Sequence, residues 1–358
     1  MNNKKRIIVI ISIVVLCVIT AAWLKFLYTP IIKNDQGVRY VVVPGASIRS
    51  IIDNLYFHNI IQHPILFKLL IRMRGDDHVI KAGEYLFPKG STPSSIVNQM
   101  INGSGMIYFA FTIKPGETFK HLRKSLSSAE QLKHTINNLS NSEIMKRLGH
   151  PGLKPEGQFF PDTYYYAGGS SDMVLLKRSF NTMQTKLNAV WQRRAADLPY
   201  KTPNDLLIAA SLIEKETDIE IERTMISGVI VNRLRKNMLL QIDPTVIYGL
   251  GSRFDGTIYR ENLLENTPYN TYIHKGLPPT PIAMPSMESI HAAAHPKVHD
   301  YYFFVARQDD THQFSKTLAE HYAAVAASKK KHMFFSFNAT IIRFYLLKIF
   351  SKTLFNVK

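Results

Sequence analysis

An uncharged apolar segment close to the amino terminus constrains the fold of this chain more than any other feature. It runs from Ile7 to Leu24 and directly follows a basic cluster at residues 4–6. A helix needs about 20 consecutive apolar residues to cross a bilayer, and Trp23 and Tyr28 are of the type that concentrates at the membrane surface. The segment therefore predicts a single transmembrane helix over residues 7–28. The basic cluster predicts a short cytoplasmic tail over residues 1–6 and places the remainder outside the cytoplasm.

A cleaved signal peptide is the alternative interpretation of this segment. The apolar run is long for a signal peptide, and no small-x-small cleavage site follows it closely. The lone cysteine, Cys17, lies within the run, so no disulfide is expected in the extracytoplasmic part. We therefore expect a single-pass protein of the inner (plasma) membrane with a folded periplasmic or extracellular region.

The chain is strongly basic. Its 44 Lys and Arg residues outnumber 27 Asp and Glu residues, for a net charge of +17. Such a charge suits nucleic acid, anionic lipid or an acidic polymer. Because no nucleic-acid module accompanies it, we expect an anionic surface as the partner and no nucleic acid. His291, His295 and His299 are spaced by four residues, but Pro296 interrupts any helix that carries all three. Neither a metal nor a cofactor is expected.

Two related segments open the extracytoplasmic region. Residues 41–55 and 111–126 each combine a strand, a Pro-Gly turn, a Ser or Thr helix cap and an amphipathic helix. The first continues through a second helical pattern at residues 64–74 and a strand at residues 81–87. This βααβ order predicts a small α/β subdomain over residues 38–105, followed by a linking strand–helix segment over residues 106–150.

The chain changes character near Pro155. Residues 156–164 (EGQFFPDTY) contain too many turn formers for a helix and too many aromatic residues for a loose linker. We interpret them as a structured segment that lines a site. An amphipathic helix is predicted over residues 175–195.

The next predicted helix carries a carboxylate on its apolar face. Thr202 can cap this helix, Pro203 suits its first position and Asp205 completes a capping box. At about 100° per residue, Glu214 projects from the stripe formed by its apolar residues. These residues are Leu206, Leu207, Ala210 and Ile213.

An apolar surrounding disfavours the charged form of a carboxyl group, which raises its pKa and suits it to act as a general acid. Glu214 is therefore the candidate acid, although a glutamate at the end of an ordinary solvated helix is the plain alternative. Glu216 lies about 200° around the helix from Glu214, so we expect Glu216 and Lys215 to be structural. Thr217 and Glu220 predict a second capping box, which opens a helix that ends near Arg235.

Several ordered motifs occupy the second half of the chain. They are residues 213–217 (IEKET), 232–234 (NRL), 240–249 (LQIDPTVIYG), 267–272 (TPYNTY), 275–282 (KGLPPTPI) and 292–296 (AAAHP). Together they resemble the signature of the MltG (YceG-like) family of membrane-anchored endolytic murein transglycosylases. The resemblance extends from the apolar segment to about Ala326. The α/β subdomain resembles LysM modules, which bind glycan chains, and a structural spacer is its alternative interpretation.

The resemblance implies an α+β fold with a catalytic domain over residues 151–326. It also implies cleavage of the β-1,4 bond between N-acetylmuramic acid and N-acetylglucosamine without water, which leaves a 1,6-anhydro end. Glu214 would be the single acid and base, whereas ordinary glycosidases need a second carboxylate. The residues expected in the sugar-binding groove are Gln241, Asp243, Tyr248, Asn270 and Tyr272. The expected partners are peptidoglycan glycan strands, the membrane and the cell-wall synthases (penicillin-binding proteins) whose nascent strands the enzyme would shorten.

Alternatives remain for the function and for single residues. A membrane-tethered glycan-binding scaffold would use the same fold, and a hydrolytic muramidase would use Asp243 as a second carboxylate. Asp243 before Pro244 could also cap a turn, and Tyr248 could be a packing residue. Residues 327–358 form a basic and apolar extension outside the family pattern. It suits either a helix on anionic lipid or a disordered tail, and Arg343 and Lys348 argue against a second span.

Overall fold

The computed structural model describes residues 3–43, 45–75, 80–307, 309 and 311–327. This part of the chain combines helices with three antiparallel pairs of strands, which confirms the predicted α+β class. The chain divides into two compact units, each assembled from separated stretches. The first comprises Met1–Thr112, Ser125–Asn138 and Thr163–Leu175, and the second comprises Ile113–Lys124, Leu139–Asp162 and Leu176–Lys358.

The apolar segment forms helix α1 (Asn3–Tyr28). Within the described residues, α1 is the one helix that is long and apolar enough to cross a membrane. Most of its apolar side chains are exposed, but Trp23, Phe26 and Leu27 in its last turns pack against the core of the first unit. The helix therefore exists as predicted, and its end belongs to the fold of the first unit.

The first unit contains the predicted βααβ order. Its elements are β1 (Val38–Val42), α2 (Ile48–Phe57), α3 (Pro64–Arg74), β2 (Gly83–Phe87) and α4 (Pro93–Asn102). β1 pairs with β2 in antiparallel register, Val38 opposite Phe87. Tyr85, Phe87 and Phe67 fill the core beneath this pair of strands. The order of elements is confirmed, whereas the likeness to LysM modules stays a prediction.

A second antiparallel pair joins strands that are distant in sequence. β3 (Tyr108–Thr112) pairs with β4 (Thr163–Ala167), with Tyr108 opposite Ala167. Between them lie α5 (Phe119–Ser127) and α6 (Asn141–Arg147), and α7 (Asp172–Gln192) follows β4. The observed α7 agrees with the helix predicted over residues 175–195, apart from a shift of three residues at each end.

Helix α8 (Pro203–Glu216) lies at the centre of the second unit. Helices α9 (Glu220–Arg235), α10 (Asp243–Leu250) and α12 (Met287–Ala294) pack against it. A 3₁₀ turn (Gly251–Arg253) and α11 (Arg260–Leu264) contact α10, and the hairpin of β5 (Phe303–Ala306) and β6 (His312–Ser315) contacts α9 through β5. Every residue from Leu206 to Glu214 is buried. The apolar stripe predicted for α8 is too narrow, because residues 206–214 are buried on all sides of the helix. Ala293 of α12 lies in the same core as Ala209 and Ala210 of α8, and small side chains let helices approach closely.

The capping signals predicted the start of α8 correctly but not the start of the next helix, α9. The Thr202–Asp205 capping box is present, with Thr202 Oγ1 accepting from the Asp205 N–H at 3.2 Å. The predicted capping box of Thr217 and Glu220 is wrong. Ile219 is the N-cap of α9 and provides no side-chain bond, while Thr217 ends α8 and its Oγ1 accepts from the Ile219 N–H at 3.1 Å. The predictions for residues 328–358 lie outside the described residues.

Candidate active site

Glu214 is buried, and one of its oxygens is occupied by donors from the protein. The side chain sits at 8% exposure near the end of α8. Its Oε2 accepts from the Ser286 N–H at 2.9 Å, the Ser286 O–H at 2.5 Å and the Ser289 O–H at 2.7 Å. Ser286 is also the N-cap of α12. Charge-assisted bonds of this kind are short and strong, so Glu214 ties the end of α8 to the start of α12.

Glu216 lies two residues further on, in a different environment. It is half-buried, and burial, together with the neighbouring Asp243 carboxylate, raises its pKa to about 8. Asp243 is the first residue of α10 and accepts a hydrogen bond from the Tyr272 hydroxyl. Burial and the bond to Asp243 raise the pKa of Tyr272 as well, with a contribution from Glu216. Asp243 and Tyr272, both predicted site residues, are therefore neighbours of Glu216.

Gln241 joins this group through the buried Arg233. The Arg233 guanidinium donates to Gln241 Oε1 at 3.1 Å and to the carbonyl oxygens of Leu239 and Leu240 at 3.0 and 2.9 Å. Gln241 itself has a left-handed φ of 51°, which costs energy for a residue with a side chain, and its N–H donates to Thr271 O at 3.0 Å. Arg233 thus holds the exposed Gln241 side chain in place. The sequence analysis singled out the NRL motif but gave Arg233 no role.

Asn270, another predicted site residue, lies fully inside the second unit. It has no exposed surface. Its amide donates to the carbonyls of Asn262, Leu263 and Glu265, and its oxygen accepts from the Tyr272 N–H at 2.9 Å. In this arrangement Asn270 holds the loop that carries Tyr272, and the side chain is not available to a ligand.

Tyr248 forms a separate group with Glu156. Its hydroxyl donates to Glu156 Oε2 at 2.9 Å, and its ring meets that of Tyr269 edge-to-face at a centroid distance of 4.7 Å. Glu156 also accepts from the Phe119 N–H at 2.9 Å. Burial raises the pKa of Glu156 to about 7. The aromatic segment at residues 156–164, which the sequence predicted to line a site, contributes this carboxyl group.

The structure thus distributes the predicted residues other than Asn270 over three groups. Glu214 stands with Ser286 and Ser289, and Tyr248 stands with Glu156. The third group, called here the Glu216 cluster, is defined as Glu216, Asp243, Tyr272, Gln241 and Arg233. Local spacing could not identify Glu216 as its centre, because Asp243 and Tyr272 return to the end of α8 from positions far along the chain.

Comparisons with known proteins agree with this architecture. The model of the YceG-like family matches residues 40–327. An endolytic murein transglycosylase of Bacillus subtilis (strain 168) is 30% identical, over 83% of this chain and 86% of the relative. A protein of the same name from Streptococcus pneumoniae serotype 2 (strain D39 / NCTC 7466) is 24% identical over 77% of this chain. That alignment spans 56%, about half, of the streptococcal protein.

A solved structure shares the fold. The crystal structure of a putative yceG-like protein from Listeria monocytogenes is 27% identical and superimposes with a TM-score of 0.50. The match covers 81% of this chain and 99% of the Listeria chain. Because the family model spans most of the sequence and the Bacillus relative matches over most of both lengths, the chain belongs to the YceG-like family.

Proposed function

We propose that the chain is an endolytic lytic transglycosylase of peptidoglycan. The observation that carries the proposal is the Glu216 cluster, in which a carboxyl group with a pKa raised to about 8 stands beside Asp243 and Tyr272. A group with that pKa holds a proton at neutral pH and can still release it, which is what general acid catalysis requires. Membership of the YceG-like family and relatives named endolytic murein transglycosylase support the same reaction.

The reaction needs one group that acts first as an acid and then as a base. The protonated carboxyl donates its proton to the glycosidic oxygen as the C1–O bond of the muramyl residue breaks. The resulting carboxylate then takes the proton of the muramyl C6 hydroxyl while that oxygen bonds to C1. The product carries a 1,6-anhydro ring, water is not consumed, and the carboxyl group ends in its starting state.

We assign the acid to Glu216 in preference to Glu214, the candidate from the sequence. Glu214 is almost fully buried, and its Oε2 receives three protein donors. Glu216 is partly buried, its pKa is raised, and the predicted groove residues Asp243 and Tyr272 lie around it. Glu214 would then serve to fix the α8–α12 junction that supports the cluster.

Two glutamine variants test this assignment. Glu216→Gln should fold normally and yield no 1,6-anhydro products. Glu214→Gln should lower the free energy of unfolding by about 1–3 kcal/mol, because it weakens buried hydrogen bonds to a charged acceptor, and should retain activity wherever it stays folded. A Glu214→Gln protein with wild-type stability and no activity would return the acid to Glu214.

A hydrolytic muramidase is the second candidate, because Asp243 is a second carboxylate beside Glu216. Inverting and retaining hydrolysis both require such a pair. Tyr272 donates to Asp243, which favours a supporting role for this carboxylate. Mass spectrometry of purified peptidoglycan digested by the full-length protein decides between the two. Transglycosylation leaves internal 1,6-anhydro-muramic ends, whereas hydrolysis leaves reducing ends.

The anchor and the first unit complete the proposal. Helix α1 would hold the protein in the inner (plasma) membrane with its amino terminus in the cytoplasm, and the first unit would bind glycan or act as a spacer. The enzyme would cut nascent strands near the membrane, in concert with penicillin-binding proteins, and so limit strand length. A strain that lacks the protein should therefore contain longer glycan strands, and strands of wild-type length would contradict this role.

A further inference from the structure

A cavity in the second unit lies apart from the Glu216 cluster. Its volume is about 560 Å³, and its walls come from α5, α6, α10, the segment at residues 154–156 and the loop around residues 269–280. Helix α10 contributes to both the Glu216 cluster and the cavity, since Asp243 at its start belongs to the cluster and Tyr248 lines the cavity. Five residues of helix correspond to about 7 Å along its axis, so the two places are within reach of one polymeric substrate.

The floor of the cavity is a carboxyl group among aromatic rings. Glu156 is 7% exposed and is fixed by the Phe119 N–H and the Tyr248 hydroxyl. The rings of Tyr248 and Tyr269 form one wall. Because its pKa is raised to about 7, a large share of the Glu156 carboxyl is neutral near physiological pH. It therefore opposes a bound anion far less than an ordinary glutamate would.

The rim of the cavity is basic. Lys120 and Lys154 are exposed side chains at its edge, and within the described residues neither forms an ion pair. The Arg123 guanidinium is held at the same edge by Asn141 Oδ1 at 2.7 Å and Leu139 O at 2.9 Å. Three cations at the rim and an aromatic wall suit a ligand that combines a carboxylate with small apolar groups.

We propose that this cavity is a subsite for the carboxylate-bearing stem peptide of the muramyl residue. The proposal rests on the proposed function and deepens it, since it makes the peptide part of what the enzyme recognises. The sugar backbone offers hydroxyl and amide groups to the Glu216 cluster. The peptide, attached to the same polymer, offers the carboxylates and alanine methyl groups that match the basic rim and the aromatic wall.

Cleavage of two matched substrates tests the subsite with the full-length protein in detergent. One substrate is a preparation of glycan strands that keep their stem peptides, and the other is the same preparation after an amidase has removed them. The wild type should cleave the peptide-bearing strands with a kcat/KM about tenfold higher. In Lys120→Ala/Lys154→Ala this ratio should fall to about one, mainly through KM.

A charge-matched control separates the subsite from general attraction to an anionic wall. Lys177 and Lys236 are exposed in the same unit and lie outside the cavity. Lys177→Ala/Lys236→Ala removes the same net charge and should keep the wild-type ratio. If the wild type cleaves both substrates equally, or if both double variants lower the ratio alike, the subsite is refuted.

A binding measurement keeps the proposal testable apart from catalysis. The dipeptide N-acetyl-L-alanyl-D-glutamate, in which the amide nitrogen of alanine is uncharged as in the polymer, should shift resonances of the wild type at millimolar concentration. Its α-carboxamide form should bind about tenfold more weakly. Lys120→Ala/Lys154→Ala should bind neither. Binding of inorganic phosphate with equal affinity would reassign the cavity to a general anion site and overturn the proposal. Normal dipeptide binding without any 1,6-anhydro product would refute the proposed function and leave the peptide subsite standing.

Discussion

Glu156, Glu214 and Glu216 carry the same functional group in three surroundings. Glu214 meets serine donors, Glu216 meets a second carboxylate, and Glu156 lies among aromatic rings. Surroundings of this kind raise the pKa of Glu156 to about 7 and that of Glu216 to about 8. Distances between residues in the chain do not report them, because each surrounding is supplied by remote segments.

The raised pKa of Glu216 predicts the alkaline limb of the activity profile. A general acid must be protonated, so kcat/KM should stay level below about pH 8 and fall tenfold per pH unit above it. Asp243→Asn removes the neighbouring negative charge, which lowers the pKa of Glu216 and should move this limb to lower pH. Glu261→Gln, a change at an exposed position on α11, should leave the limb in place. An unmoved limb in Asp243→Asn would contradict the pairing of these carboxyl groups.

The Glu156 carboxyl predicts a pH-dependent cost to stability. Its pKa is about 7 in the folded protein against an ordinary value of 4.5. Between these pH values the unfolded chain is ionised while the folded one is still protonated. The free energy of unfolding therefore falls as pH rises, in total on the order of 3 kcal/mol. Glu156→Gln lacks this contribution. In urea unfolding, the stability of the variant relative to the wild type should therefore be higher at pH 8 than at pH 5. An equal difference at both pH values would contradict the prediction.

Local sequence signals predicted where the helices begin better than they predicted how deeply the helices are buried. Thr202, Pro203 and Asp205 predict the start of α8 because a helix cap is built from neighbours in sequence. The same local pattern could not show that residues 206–214 of α8 are buried on all sides, because they are covered in part by α12, about eighty residues later. The prediction that Glu214 is the general acid rested on an amphipathic stripe, and so it was made without knowing how deeply α8 is buried.

Helix α9 contains a glycine that its packing requires. Gly228 lies in the helix interior, where alanine normally favours the helix by about 1 kcal/mol. Here a Cβ atom would come within 2.4 Å of the Lys297 carbonyl oxygen and of His299 Nε2. Gly228→Ala should therefore destabilise the protein by about 1–3 kcal/mol, as a lower midpoint in urea unfolding. Ile221→Ala at an exposed position of the same helix should change the midpoint little. A more stable Gly228→Ala protein would show that α9 and the 297–299 segment separate easily.

At the scale of the whole molecule, the pairing of β3 with β4 was not predictable from the sequence. The pattern identified β3 as the start of a strand–turn–helix segment, but β4 pairs with it from residue 163 onward. That pairing assigns Thr163–Leu175 to the first unit, although residues on both sides of this stretch belong to the second. Short strands of this kind carry no sequence signal for a partner so far along the chain.

The end of α1 should contribute to the stability of the first unit. Leu27 packs against its core, whereas Leu16 is 64% exposed on the same helix. In the full-length protein in detergent, Leu27→Ala should lower the free energy of unfolding by about 1–2 kcal/mol, since it removes packed methyl groups. Leu16→Ala makes the same chemical change and should leave the thermal midpoint of the first unit unaltered. Equal effects of the two variants would mean that α1 ends outside the core.

The packing of Trp23, Phe26 and Leu27 also affects how far the first unit can move away from α1. A span joined to its domain by a flexible leash lets that domain sample a wide range of heights above the bilayer. Here side chains of the last turns of α1 pack against the core of the first unit. The Ile31 N–H also donates to Ser91 O at 2.8 Å shortly after the helix ends. With α1 in the bilayer, the first unit would be held at a fixed height. Under the proposal that this unit binds glycan, it would then reach only a thin layer of the wall next to the membrane.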